Sequence, residues 1–257
     1  MTQNSIEQME MFKQLIAKRK EETQRNLKAS PFHKLSTDFF SRFSRDPEAK
    51  AEVDEIIVQP GWHIVHSKNA ATVVIKMAGH LADFLDRCMG ISLPVEAASD
   101  IHNARMPAII LSEAGGGKSG VPESFTIKVT TGFIMLAGAD AGGLRSAVVR
   151  LIGLMGLRQA PIIKLGETIY VPRIPIRQVE LGGIPNDIFY GANAVCLGSY
   201  ELYELSNSHA IPELAVRRKQ WVMEELTKKA CLAREYGLKM YVQLSIREKF
   251  EKNDPIF

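Results

Sequence analysis

The sequence predicts an α/β protein in which a two-layer α/β sandwich is followed by an incomplete (β/α) barrel, the whole preceded by an N-terminal helical extension. Three observations carry that expectation. Residues 122–156 spell strand, turn, strand and helix with their punctuation in place. Beyond residue 172 the pattern becomes strand, helix, strand, helix, strand, which is how a parallel barrel begins. Residues 5–28 contain few breakers and set Ile6, Met9, Phe12 or Lys13, and Ile16 along one side of a helix.

The central stretch is the most explicit. Phe125, Ile127 and Val129 alternate with Thr126 and Lys128, the period of a strand with one wet face. Thr130, Thr131 and Gly132 turn the chain, and residues 133–137 are apolar without interruption, as in a central strand covered on both faces. Asp140 is placed to cap a helix whose Leu144, Val148, Leu151 and Met155 recur at helical spacing, with Gly156 at the position of a left-handed C-terminal cap. A hairpin feeding a helix that packs back on its sheet is a two-layer unit.

Upstream, Ser30 and Pro31 end the first helix, and Phe32, Leu35, Phe39, Phe40 and Phe43 suit a second short one. This extension, residues 1–52, is read as packing on the domain that follows. The alternative is an arm that binds a partner or a second copy of the chain. Residues 56–58 and 62–65 read as extended around the Pro60-Gly61 turn. His63 and His66, three apart on a strand, face opposite ways and cannot converge on one metal ion. Asn69 is read as the cap of a helix burying Val74, Met77, Leu81, Leu85 and Cys88, with Lys76, His80, Asp83 and Arg87 on its wet face and Gly90 closing it. Residues 108–111 form a short buried strand.

Residues 112–120, SEAGGGKSG, resemble a phosphate-binding loop only at their end. Gly117, Lys118 and Ser119 fit, but Ser112 stands where the first glycine belongs, and Pro122 with an alternating strand follows where a helix is needed. A loop joining two strands is the expectation. An edge strand at 168–171 completes a domain over residues 53–172. After it come a strand at 174–181, a short helix at 185–190, a strand at 194–197, a long helix at 211–236 and a strand at 238–244. The long helix sets Trp221, Met223 or Glu224, Leu226, Ala230, Ala233 and Tyr236 inward, with Gly237 as its cap. Three strands do not close a barrel, which takes eight. Residues 173–257 therefore read as the first three strands of a truncated one.

Composition narrows the function classes. The 257 residues are 46% hydrophobic and 24% charged, with a net charge of +3, which gives no reason to expect nucleic acid. The basic runs at 18–20 and 217–219 fall on expected helices beside acidic residues and read as solvated faces. Cys88, Cys196 and Cys231 lie in apolar contexts and read as buried free thiols, which suits a reducing compartment. With no secretory leader and no membrane-length apolar run, the expectation is a soluble, cytoplasmic protein that uses no metal and no cofactor.

Gly138, Asp140, Gly143 and Leu144, followed by Pro172, Arg173, Pro175 and Arg177, carry a resemblance. Their order and spacing, over roughly residues 53–205, are similar to the small domain and first barrel strand of family 20 β-hexosaminidases and family 67 α-glucuronidases. The resemblance implies a glycoside hydrolase of which this chain is the N-terminal portion, the small domain being an accessory that buttresses the barrel. It also implies that the acid and its partner aspartate stand on a later strand, so that no catalytic residue is expected in this chain. Where family 20 has an Asp-x-x-Arg after the first strand, this chain has Gly182 and Pro185, which points away from an N-acetylhexosamine and leaves the glycosidase class, on the uronidase side, as the implication.

In a β/α barrel the functional groups project from the C-terminal ends of the strands. Those ends carry Glu180 after the first strand, Tyr200 and Glu201 after the second, and Gln243, Ser245 and Arg247 after the third. Glu180 and Gln243 suit a sugar pocket because carboxylates and amides bridge vicinal hydroxyls, and Tyr200 or Tyr203 suits stacking on a ring face. Each also reads as an ordinary strand-end residue. The expected partner is carbohydrate, and the alternative function is a non-catalytic carbohydrate- or protein-binding module.

Overall fold

The computed structural model describes residues 38–113, 115–118, 120–179, 183–201 and 220–245, with helical positions at 18, 21–23, 25 and 26. The expected helix at 5–28 thus lies mostly outside the described residues, as do Glu180 and residues 211–219 of the expected long helix.

The sandwich is built on a six-stranded sheet. Its strands are β2 (His63–Ser67), β3 (Val95–Ala98), β4 (Ala108–Ser112), β5 (Phe125–Val129), β6 (Phe133–Gly138) and β8 (Gly166–Tyr170). They lie in the order β3-β2-β4-β6-β5-β8. β3, β2, β4 and β6 run parallel, and β5 runs antiparallel to both β6 and β8. A separate antiparallel ribbon pairs β1 (Glu55–Ile57) with β7 (Ile162–Lys164). The hairpin signal at 125–137 is borne out. Phe125, Ile127 and Val129 are buried while Lys128 is exposed and pairs with Glu167 across the sheet at 3.4 Å.

Helices α1 (Thr72–Met89) and α2 (Ala141–Arg158) cover one face of the sheet and touch each other. Met77, Leu81, Phe84, Leu144, Val148 and Leu151 meet Ile64, Ile109, Ile134 and Leu136 of the sheet in one core. The other face has a smaller core of Val65, Ala108 and Ile110, covered by Ile101 and Ala104 of the loop before β4. His63 belongs to β2 and is fully buried, with no hydrogen bond to either ring nitrogen among the described residues. His66 hands its Nδ1 to the Ser67 carbonyl at 2.8 Å.

Several local expectations need correction. Helix α1 is capped by Ala71, not Asn69, and the Glu113 carboxylate accepts the Ala71 amide at 3.2 Å in place of a side-chain cap. Asp140 caps α2 as expected, accepting the Gly143 amide at 2.7 Å. Gly156, however, is not the C-terminal cap; the helix continues to Arg158 and Gln159 takes the left-handed conformation. Gly156 is instead small because a Cβ there would run into the Phe43 ring. His80 is half-buried rather than wet, bonding the Tyr236 hydroxyl through Nε2 at 2.8 Å. Of the cysteines Cys88 is buried, Cys196 is half-buried and Cys231 is exposed.

The aromatic run before the sandwich packs on it, in a 3-10 turn, Phe39–Arg42, where a short α-helix was expected. Phe39 and Phe40 are buried against Phe189, and Phe40 also against Phe84.

Past the sandwich come a short helix α3 (Asn186–Phe189), strand β9 (Ala194–Glu201), helix α4 (Gln220–Glu235) and strand β10 (Lys239–Ser245). β9 and β10 are parallel neighbours. The strand expected at 174–181 does not form a ladder in its described part; residues 174–179 contribute one parallel bridge, Gln178 to Ala194. Ala233 and Tyr236 are buried on the inner side of α4, and Gly237 follows with a positive φ of 61°. Among the described residues no helix is long and apolar enough to cross a membrane.

Candidate functional site

Polar side chains gather at the N-terminal end of the β9–β10 ladder, and polar residues also stand at its C-terminal end. At the N-terminal end the cluster begins with Asp140. Its Oδ1 caps α2 and its Oδ2 accepts the Glu123 amide at 3.0 Å. Gly143 must lack a side chain, because a Cβ there would overlap the Ser124 carbonyl. The first turn of α2 is thereby pressed on residues 123–124, and Glu123 is held at a positive φ of 60°. A residue other than glycine occupies that region only when its surroundings fix it.

What fixes Glu123 is its carboxylate. Oε2 accepts from Arg177 Nη2 and from Asn193 Nδ2, each at 2.7 Å, and Oε1 lies 3.7 Å from Arg145 Nη2. Arg145 is 1% exposed and donates through Nη1 to the Tyr236 and Gly237 carbonyls, each at 2.8 Å. A cation there also faces the negative end of the α4 dipole. Burial pushes the guanidinium below its usual pKa and Glu123 pulls it back. Arg177 spends Nε on the Gly191 carbonyl and Nη1 on the Ile174 carbonyl, while Asn193 Oδ1 accepts the Arg177 amide. Asn193 Nδ2 and Lys239 Nζ both donate to the Pro175 carbonyl at 2.9 Å.

This constellation ties the sandwich to the strands that follow. The Glu123 carboxylate serves groups from three segments and so joins elements. Asp140, Gly143 and Arg177, singled out in the sequence by their order, are parts of it. Glu123 and Arg145 were missed, since every polar residue of the sandwich was read as having a local explanation. Arg145 did leave a signal: it lies three residues before Val148 and seven before Ile152, on the stripe that helical spacing assigns to the core.

The C-terminal end of the ladder holds the residues chosen for sugar binding. Register sets Gln243 beside Ser199, Leu244 beside Tyr200 and Ser245 beside Glu201. The backbones of Tyr200, Glu201 and Gln243 therefore converge at one end, and Gln243 is exposed. Glu180, Tyr203 and Arg247 lie outside the described residues. Among the described residues no group of three or more His, Cys, Asp or Glu could hold a metal ion.

The glycine-rich loop joins β4 to β5. Its Gly117 amide is taken by Thr126 Oγ1 at 2.9 Å and its Lys118 amide by Ser124 Oγ at 2.8 Å. Those amides already have partners within the chain.

No family model and no curated protein matches the sequence. The fold does match solved structures. The GH20 β-N-acetylhexosaminidase of Streptomyces coelicolor A3(2) is similar at a TM-score of 0.52 and 17% identity, over 79% of this chain and 46% of that one. The N-acetyl-β-hexosaminidase of Streptomyces plicatus matches at 0.52 and 16% identity, over 80% and 46%. A GH138 enzyme targeting pectin rhamnogalacturonan II matches at 0.50 and 12% identity, over 71% and 31%. The fold is glycoside hydrolase-like, and the chain spans less than half the length of each of these enzymes.

Proposed function

We propose that the chain is the N-terminal portion of a glycoside hydrolase of hexosaminidase or glucuronidase type, with the catalytic carboxylates on barrel strands outside it. One observation carries this reading. Met240, Tyr241 and Val242, consecutive in β10, are 44%, 40% and 38% exposed. Consecutive strand residues point to opposite faces, so β10 is open on both. A parallel strand is ordinarily covered on both faces, by helices outside and by the other strands' side chains within a barrel. Further β/α units would supply that cover, and the similarity of fold to the GH20 enzymes supports this reading.

In this reading Glu180, Tyr200, Glu201 and Gln243 hold the sugar. The carboxylates and the amide bridge its hydroxyls, and Tyr200 offers a ring face. An acid and a second carboxylate, or a group of the substrate in its place, then act from later strands across the scissile bond. The sandwich and its Glu123 junction fix the first strands so that these side chains stay in register with the rest of the site.

The test is hydrolysis of aryl hexosaminides, glucuronides and glucosides. The 257-residue chain is expected to be inert, and a chain extended through a full barrel to be active on at least one. An extended, folded chain inert on all of them overturns the assignment. Retention of wild-type KM in Gln243→Ala of the active form removes that residue from the sugar site.

A further inference from the structure

A cleft of about 570 Å³ opens beside the junction, between the 3-10 turn at Phe39–Arg42, the side of α2 and the segment 170–177. It lies at the N-terminal end of the β9–β10 ladder, the opposite end from the residues proposed for sugar binding. Its size suits a small ligand. The charge of its lining is one-sided: Arg42, Arg145, Arg150, Arg173 and Arg177 against the single carboxylate of Glu123.

That carboxylate is already committed to Arg177 and Asn193. Arg42, Arg150 and Arg173 form no ion pair among the described residues. Two of them are held in place by aromatic rings. The Arg42 guanidinium lies 4.9 Å from the Phe39 ring and 5.1 Å from Phe43, and Arg150 lies 5.3 Å from Tyr170, whose ring stacks on Phe125 at 4.8 Å. A guanidinium laid on a ring keeps its N–H fork directed sideways and loses less freedom when an anion arrives. At the inner wall Arg145, almost wholly buried, has an Nη2 with no hydrogen-bond partner among the described residues. Glu123 Oε1 meets its charge at 3.7 Å without bonding it, so this donor can still take an acceptor.

We propose that this cleft binds an acidic saccharide through its carboxylate or sulfate groups, at a site separate from the C-terminal strand ends. Guanidinium forks match planar and tetrahedral oxyanions in paired hydrogen bonds, and an array of them selects charge over ring identity. That the anion is borne by a saccharide rests on the proposed function; the arginine array itself comes from the 3-10 turn, α2 and segment 170–177 and calls only for an anion.

Calorimetric titration of the 257-residue chain tests it with three probes: trigalacturonate, a sulfated disaccharide and neutral maltotriose. Binding of at least one acidic probe and none of maltotriose is expected, weakening as NaCl rises from about 50 to 500 mM. Preference between the acidic probes tells carboxylate from sulfate. Arg150→Gln and Arg173→Gln, both at the cleft's outer wall, are each expected to weaken binding about tenfold or more while leaving the thermal unfolding midpoint in place. Gln243→Ala is expected to leave it unchanged. Equal binding of neutral and acidic probes, binding of none, or binding indifferent to both arginine substitutions overturns the proposal.

Discussion

At the residue scale the molecule turns on Glu123. It stands at a positive φ, it is mostly buried, and it keeps Arg145 and Arg177 company inside the protein. Removing one member of a buried ion pair strands the other without compensation, which typically costs about 3–5 kcal/mol. Glu123→Ala is therefore expected to lower stability by about 3 kcal/mol or more, read as a shift in the urea midpoint, whereas Glu167→Ala on the exposed pair with Lys128 should cost no more than about 1 kcal/mol. His80 supplies a pH dependence. Burial lowers its pKa; Asp83 opposes that and Lys76 adds to it, while the Tyr236 hydroxyl faces the ring and Glu235 of α4 pairs with Lys76. A histidine depressed on folding favours the neutral state in the native protein. Its contribution is thus fully present above the unfolded value of about 6.5 and is lost as pH falls from there through the folded value. Stability measured from pH 7.5 down to pH 5 should decline more in the wild type than in His80→Gln. An equal decline would remove His80 as the cause. The carboxylates of Asp54 and Glu55, held low by Lys164 and Arg158, act only at more acidic pH.

At the scale of elements, α2 makes opposite predictions for two of its glycines. Gly156 lies under the Phe43 ring, so Gly156→Ala overpacks the contact and should cost about 1–3 kcal/mol despite the better helix propensity of alanine. Gly153 has open space around its Cβ position, so Gly153→Ala should gain about 0.5–1 kcal/mol. Thermal unfolding of the pair reads both signs. The same helix shows what the sequence could and could not convey. Asp140 and the stripe Leu144, Val148, Leu151 and Met155 were legible because a cap and a period are local properties. Gly156 was misread because the reason for that glycine is Phe43, more than a hundred positions away. Strand β3 went unseen for a related cause: Glu96, Ala97 and Ala98 after Val95 carry little strand propensity, and the parallel edge of β2 recruits them. Segment 174–179 errs the other way. Its apolar alternation promised a strand, yet Pro175 has no amide to give, and Arg177 and Asn193 tie the backbone to the junction with only one bridge to β9.

At the scale of the whole molecule, the sandwich and the segments after it share one hydrophobic core and a buried polar junction. The core of the sandwich runs on through Phe39, Phe40 and Phe189 to Val195, Leu197, Ala233, Tyr236 and Leu238. Strand β10 nevertheless shows apolar side chains to both sides. At the end of the same ladder backbone register gathers Tyr200, Glu201 and Gln243, and the sequence placed them there because strand ends are where a barrel keeps its chemistry. The arginine-lined cleft left no such trace, since its residues come from five separate segments. The most direct measurement of the central claim, that β9 and β10 open an unfinished barrel, is hydrogen exchange along β10 in the 257-residue chain. The account predicts that the amides of β10 not bonded to β9 exchange at nearly the rate of an exposed strand edge. Slow exchange of every β10 amide, as in the interior strands β4 and β6, would mean that the second edge of β10 is already paired within this chain and would contradict it.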